Sequence, residues 1–499
     1  MPYVDLPYGE DYASLWYVTN SATGTVGGFN PDKPTVIMLH PIFLDSTWLY
    51  AQFEDPRLHE NFNIIAFDAR CAGRTVSRPN GKHDHWTDAA DVAFACQTLW
   101  LPPAHIWASE SFGTNAALRL AALFPEMCLS ITLLTVPSPT EYVSASVTNQ
   151  HGRQLTSGVF TPNRLRVYFH RFEEILQMWS TAPDLDTLEH ALMEVVTLLL
   201  GPDIHVDLMD DLVAYFQMKY PPFRRSNIAQ LANLIMNRTA LSAKELAAVT
   251  QPVLLVHGDK NEIHPLEYAE RMKAELVNAH DGAKLYVMKG AQGYLNVVPS
   301  CASLANQVFF KFLCRQPPAR SDLRPPSQAM YSRMERALGR LAEFAGDATI
   351  AERDPLSSMS FSRVTPDVEK SQMAHIMTNA KGQLRALSPL GADGRPMRKY
   401  SERRHDHWFQ GDRDGISHAS SSHYERIAFH RETMPIGAPM LEGPSKELVT
   451  HDVIHDNAIR RPAYNGVNPN AVEKLVIKGA SMSRVAAATN LPIGRLFSS

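Results

Sequence analysis

The stretch that decides the fold runs from His105 to Leu123 and reads HIWA, then SESFG, then TNAALRLAAL. His105–Ala108 has the short apolar character of a buried strand. Gly113–Leu123 has that of a helix whose Ala116, Ala117, Leu120, Ala122 and Leu123 suit tight packing on a sheet. Between them, Ser109-Glu110-Ser111-Phe112-Gly113 forms a turn with small residues two before and two after its centre. A strand can pass into a helix this sharply only if those flanking positions are small, and the turn then leaves the central side chain, Ser111, standing above the sheet. Ser109 occupies a place where glycine is usual. At the N-terminus of the following helix, Ser111 would lie where the helix dipole favours developing negative charge.

Outward from this turn, short apolar runs alternate with helical patterns. Thr35–Leu39, Asn63–Phe67, Ser130–Thr135, Val253–Val256 and Lys284–Met288 read as further strands buried on both faces, and Asp88–Leu99 as a helix. Such alternation predicts an α/β fold with a mostly parallel sheet. From 139 to 250 the strand signal gives way to helical stretches (Arg164–Trp179, Thr187–Leu200, Val206–Tyr220, Asn227–Met236), which predicts a helical cap inserted between two strands of one sheet. The core is therefore discontinuous, 1–138 and 251–316, and a helix at Cys301–Cys314 closes it. After the Pro-rich QPPARSDLRPPSQ, Met330, Met334, Leu338, Leu341 and Phe344 suggest one amphipathic helix. The Ser-, Pro- and His-rich composition of 317–470 predicts a long disordered tail, and 471–499 a last helical segment.

Three landmarks fall in order: His40-Pro41-Ile42-Phe43 after the first of these strands, Asp68-Ala69-Arg70-Cys71-Ala72-Gly73-Arg74-Thr75 after the next, and the Ser111 turn about forty residues on. With the strand Val253–Val256 running into His257-Gly258-Asp259, and with Lys289-Gly290-Ala291-Gln292-Gly293, they make the chain resemble the α/β-hydrolase superfamily, in its capped branch, over roughly residues 10–315. The resemblance implies an α/β-hydrolase fold, Ser111 as nucleophile, and backbone N–H groups of Phe112 and Ile42 as the oxyanion hole. It implies no cofactor and no metal.

The other half of the machinery departs from the pattern. The family's acid position falls on Asn261 and its histidine position on Gly293. No histidine lies between Leu285 and Ser300. Serine needs an adjacent base to become a nucleophile. The replacement is sought at His264, with Asp259 as its carboxylate, while His40, His151 and His170 are the other imidazoles the fold could bring near. Glu141 reads as a solvated cap residue.

Three functions stay open. One is a serine hydrolase of esterase or thioesterase type acting on a small apolar ester-like molecule. The second is a catalytically inactive relative that binds a small apolar ligand or a protein between cap and sheet. The third is an interaction protein working through its C-terminal tail. Composition narrows the setting. Lys+Arg 48 against Asp+Glu 52 gives net charge −4, without the basic field of a nucleic-acid binder. The helix-turn-helix-like pattern at 471–499 leaves too few residues for a reading helix. The repeated His-Asp-His-Trp word (83–86 and 405–408) carries no metal-site argument. No apolar run is long enough for a membrane span, and the acidic start does not read as a secretory signal. Five scattered cysteines without a CxxC pair point to a reducing, cytoplasmic compartment.

Overall fold

In a computed structural model of the chain, residues 2–6, 12–137, 163–381 and 385–402 are described, with only the backbone given for 163–170. They fall in two compact units. The larger lies within Met1–Ile204 and Phe216–Pro389, the smaller within His205–Tyr215 and from Leu390 onward.

The larger unit is built on one nine-stranded sheet, with β1 Tyr3–Asp5, β2 Ala13–Thr19, β3 Thr35–Leu39, β4 Asn63–Phe67, β5 Val76–Ser77, β6 Ala104–Ala108, β7 Cys128–Leu134, β8 Val253–Gly258 and β9 Lys284–Met288. The order is β1-β2-β4-β3-β6-β7-β8-β9, and β5 pairs with β2. From β4 to β9 every pairing is parallel, and β1, β2 and β5 add an antiparallel edge. All residues of β3, β4 and β6 are buried, as their unbroken apolar runs require when helices cover both faces. Trp107, Phe309 and Phe312 anchor one of those faces.

Every strand expected from the sequence is present. The edge strands β1, β2 and β5 were not expected. The helix at His85–Thr98 starts three residues earlier than its apolar pattern, because the Asp84 side chain accepts the N–H groups of Trp86 and Thr87. The cap helices run Asn163–Thr181, Leu185–Leu200, Val206–Lys219 and Arg225–Met236. They lie between β7 and β8, which are nonetheless adjacent and in register, Ile131 opposite Val253.

The folded core does not end at residue 316. Helices Met330–Ala345 and Pro366–Lys381, and the turns between them, belong to the larger unit. Met334, Leu338, Leu341 and Phe361 are fully buried. Ser321 shares a 2.6 Å hydrogen bond with Thr35, at the start of β3. The amphipathic helix expected from Met330 to Phe344 is present; beyond it composition points to disorder, but the segment borrows a core instead of building one. Of the expected tail, 403–499 lies outside the described residues, and so do its His-Asp-His-Trp word, the 471–499 segment, Glu141 and His151; the side chain of His170 does too.

Candidate active site

The turn after β6 has the sharpness its small residues predict. Ser111 has φ 65° and ψ −85°, a left-handed backbone that costs a non-glycine residue roughly 1–3 kcal/mol. A Cβ on Gly113 would come 2.7 Å from the Leu39 carbonyl and 3.1 Å from that of His40, so only glycine fits. Ser109, Glu110 and Phe112 are buried, and Ser111 alone of this turn is partly exposed.

The loop after β3 packs directly on this turn. The Ile42 N–H, expected in the oxyanion hole, donates to the Glu110 carbonyl at 3.2 Å, whereas the Phe112 N–H opens the helix. His40 is held at both ring nitrogens. Nε2 accepts the Ala69 N–H at 3.0 Å, which leaves Nδ1–H to donate to the Pro41 carbonyl at 2.8 Å. Its ring stacks on Phe112 at 4.8 Å, so His40 organises the loop and is not a free base. Phe43, also at positive φ, meets Phe172, Trp179 and Tyr220 of the cap at 5.7–6.2 Å. Asp68 accepts the N–H groups of Ser46 and Arg74, tying this loop to the end of β4, and Lys219 of the cap reaches Asp45 at 3.8 Å.

The expected His264–Asp259 pair is not brought together. Asp259 is exposed and accepts the Gly290 N–H at 2.6 Å, closing a turn. Asn261, at the acid position, is buried and accepts the N–H groups of Ile263 and His264 through Oδ1. The carboxylate beside His264 is Glu110, with Nε2 3.6 Å from Oε1. Burial, then His257 and Arg238, push the His264 imidazole down to about 3. The His264 carbonyl also accepts the Nε2–H of His257, whose Nδ1 accepts the Val136 N–H.

Glu110 is the residue the sequence did not single out. Its side chain is buried and Oε2 accepts the Tyr294 N–H at 2.5 Å. At Gly293, the histidine position, an added Cβ would lie 2.7 Å from Glu110 Oε2 and 2.7 Å from the Leu199 carbonyl of the cap. The volume where the family's imidazole would begin is already filled by a carboxyl group from the turn itself. Tyr294 binds the arrangement to the neighbouring loop, its hydroxyl donating to the Ile42 carbonyl at 3.0 Å.

A family model for the alpha/beta hydrolase fold matches residues 34–292, just over half of the chain. The chain belongs to the α/β-hydrolase fold family. No curated protein matches it. Among solved structures, it is similar to a thermophilic esterase from Thermogutta terrifontis (15% identity, 63% of this chain and 99% of that one, TM-score 0.45). It is also similar to an esterase from Exiguobacterium antarcticum (16%, 62% and 97%, 0.44) and an enol-lactonase from Burkholderia xenovorans (15%, 63% and 100%, 0.45).

This α/β-hydrolase-fold chain contains a second, closer imidazole–carboxylate arrangement elsewhere. At the start of helix His85–Thr98, Asp88 lies 2.7 Å from His83 Nε2 and 2.9 Å from His85 Nδ1, all three buried. Burial opposes ionisation of Asp88, but the two histidines outweigh it and hold the carboxyl below its usual range. The His85 ring sits 6.4 Å from that of Phe112. Among the described residues no three His, Cys, Asp or Glu side chains are arranged to hold a metal ion, and no helix is long and apolar enough to cross a membrane.

Burial pushes the Glu110 carboxyl up to about 7, against the Tyr294 N–H and the Asn261 and Thr135 side chains, which favour its ionised form. A carboxyl raised on folding stabilises the protein below its unfolded pKa, and that contribution is lost as pH climbs through the folded value. Glu110→Gln keeps an acceptor for Tyr294 and removes the titration. Its stability relative to wild type is expected to improve from pH 5 to pH 8, by about 2–3 kcal/mol. Urea denaturation across that range checks this, and a difference that stays flat would contradict it.

Proposed function

We propose that this α/β-hydrolase-fold protein works without the family's catalytic triad, as a binding protein for a small apolar molecule held between cap and sheet. The observation that carries this reading is the Glu110 carboxyl packed against Gly293. It leaves no room for an imidazole where the family needs one, and an un-ionised serine is a poor nucleophile without a base. The apolar character of the ligand follows from the aromatic and aliphatic make-up of the cap, whose Phe172, Trp179 and Tyr220 pack on Phe43 and on one another. Cysteines that are all free fit the reducing, cytoplasmic setting read from the sequence.

A serine hydrolase acting through Ser111 is the second reading. It is favoured by the retained positive φ of Ser111 and by the Phe112 N–H at the helix start. Its base would be His264, partnered by Glu110 instead of Asp259. A fluorophosphonate probe separates the two. The binding reading expects no labelling of the full chain, whereas labelling that disappears in Ser111→Ala would overturn it in favour of the hydrolase.

A further inference from the structure

We propose that helix Pro366–Lys381 is a built-in clasp that holds cap helix Arg225–Met236 against the core loop Asn80–Asp84, keeping the cap closed over the Ser111 turn. This inference stands whether or not Ser111 is reactive.

The central contact is Gln372, a buried side chain whose two amide atoms serve different parts of the protein. Its Nε2 donates to the Gly81 carbonyl of the core loop at 2.7 Å, while its Oε1 accepts from Asn237 Nδ2, at the end of the cap helix, at 3.1 Å. Each side of the bridge is reinforced. Toward the cap, His375 meets the Asn233 side chain at 3.1 Å and the Asn379 carbonyl accepts from Arg225 at 2.5 Å. Toward the core, Glu369 faces Lys82 at 3.7 Å, and just upstream the Ser362 hydroxyl donates to the Lys82 carbonyl at 2.6 Å.

Without the clasp, cap and loop still share one polar junction. Gln230 accepts the Asn80 N–H through Oε1, which turns its Nε2 toward His83 Nδ1 at 2.6 Å. That junction also places the two parts next to each other, and the clasp fastens the seam further along. What the seam controls is set by the cap's other end, where the Leu199 carbonyl lies against Gly293 and the cap aromatics cover Phe43. The same chain that provides the cap thus provides, more than a hundred residues later, the part that fastens it. Of the clasp's residues only Gln372 and Ile376 are buried, and hydrogen bonds at the rim of a fold open more readily than a packed core.

Gly81 offers a sharp test. An added Cβ there would come 2.6 Å from the Glu369 carbonyl oxygen and 3.1 Å from the Met373 nitrogen, backbone atoms that cannot rotate aside. In the full chain, Gly81→Ala should lift the clasp, and Gln372→Ala should weaken it without adding bulk. Hydrogen exchange read by mass spectrometry is expected to show 225–236 and 366–381 exchanging about tenfold faster in both variants, with β3, β6 and β7 unchanged. Faster exchange confined to 366–381 would overturn the proposal, because the cap helix would then not depend on the clasp. Equal acceleration of the central strands would overturn it too, making the segment ordinary core. If Gly81→Ala fails to fold, Gln372→Ala decides between these outcomes alone.

Discussion

A chain ending at Gln316 is expected to be recovered unfolded or aggregated, whereas one ending at Glu402 keeps every contact described above and is expected to melt cooperatively. The resemblance to capped α/β hydrolases would place the end of the domain near residue 316, so the shorter chain is the natural one to express. It removes Met334, Leu338, Leu341, Phe361 and Ile376, each buried and each contributing about 1.5–3 kcal/mol. Ordering the segment offsets part of that sum. The faces left behind add to the loss, since Trp86 loses Phe344 and Phe124 loses Phe361. Glu245, itself buried, loses its ion pair with Arg363. Against a total stability of about 5–15 kcal/mol, a loss of this size is decisive. Circular dichroism and a thermal melt of the two truncations check it, and a cooperative melt of the 316-residue chain near the full-length temperature would refute it.

The same segment shows what the sequence could and could not convey. β3, β4 and β6 were legible because burial on both faces writes an unbroken apolar run. The Ser111 turn was legible because its geometry tolerates only small neighbours, and the missing histidine because a residue type is simply read off. Glu110 was not legible, since the position before Ser111 carries no steric rule and nothing in a linear pattern says that its carboxyl swings under Gly293. Asp259 and His264 looked like partners because both follow the strand that resembles the family's acid-bearing strand, at one edge of the sheet, yet one turns outward to Gly290 while the other is buried beside Glu110. The helix Met330–Ala345 was legible from its spacing, but its docking on the core and the helix Pro366–Lys381 escaped, because composition measures whether a segment can build a core, not whether it can complete another's. β1 and β5 escaped because they span only three and two residues, too few to write a pattern.

Asp91→Ala is expected to cost about 3–5 kcal/mol and to loosen the frame of the Ser111 turn. Arg70, at the end of β4, meets Asp91 with two parallel contacts, Nε to Oδ2 at 2.6 Å and a terminal nitrogen to Oδ1 at 3.0 Å, and both side chains are almost wholly buried. The Ser358 hydroxyl, from the segment beyond residue 316, accepts from the same guanidinium at 2.9 Å. Asp91 and its neighbour Asp88 line a narrow crevice with Leu39, Asp68 and Phe112, so the pair supports the layer on which the turn rests. Removing the carboxylate leaves a buried positive charge under-compensated, and that penalty, more than the lost attraction, sets the cost. Replacing both partners by apolar residues of similar volume, Arg70→Met with Asp91→Leu, removes the charge as well and is expected to cost clearly less than Asp91→Ala alone. Urea denaturation of the single and double variants measures the difference. A double variant as unstable as the single one would mean that the pair matters for its shape and its bond to Ser358, and not for the compensation of buried charge.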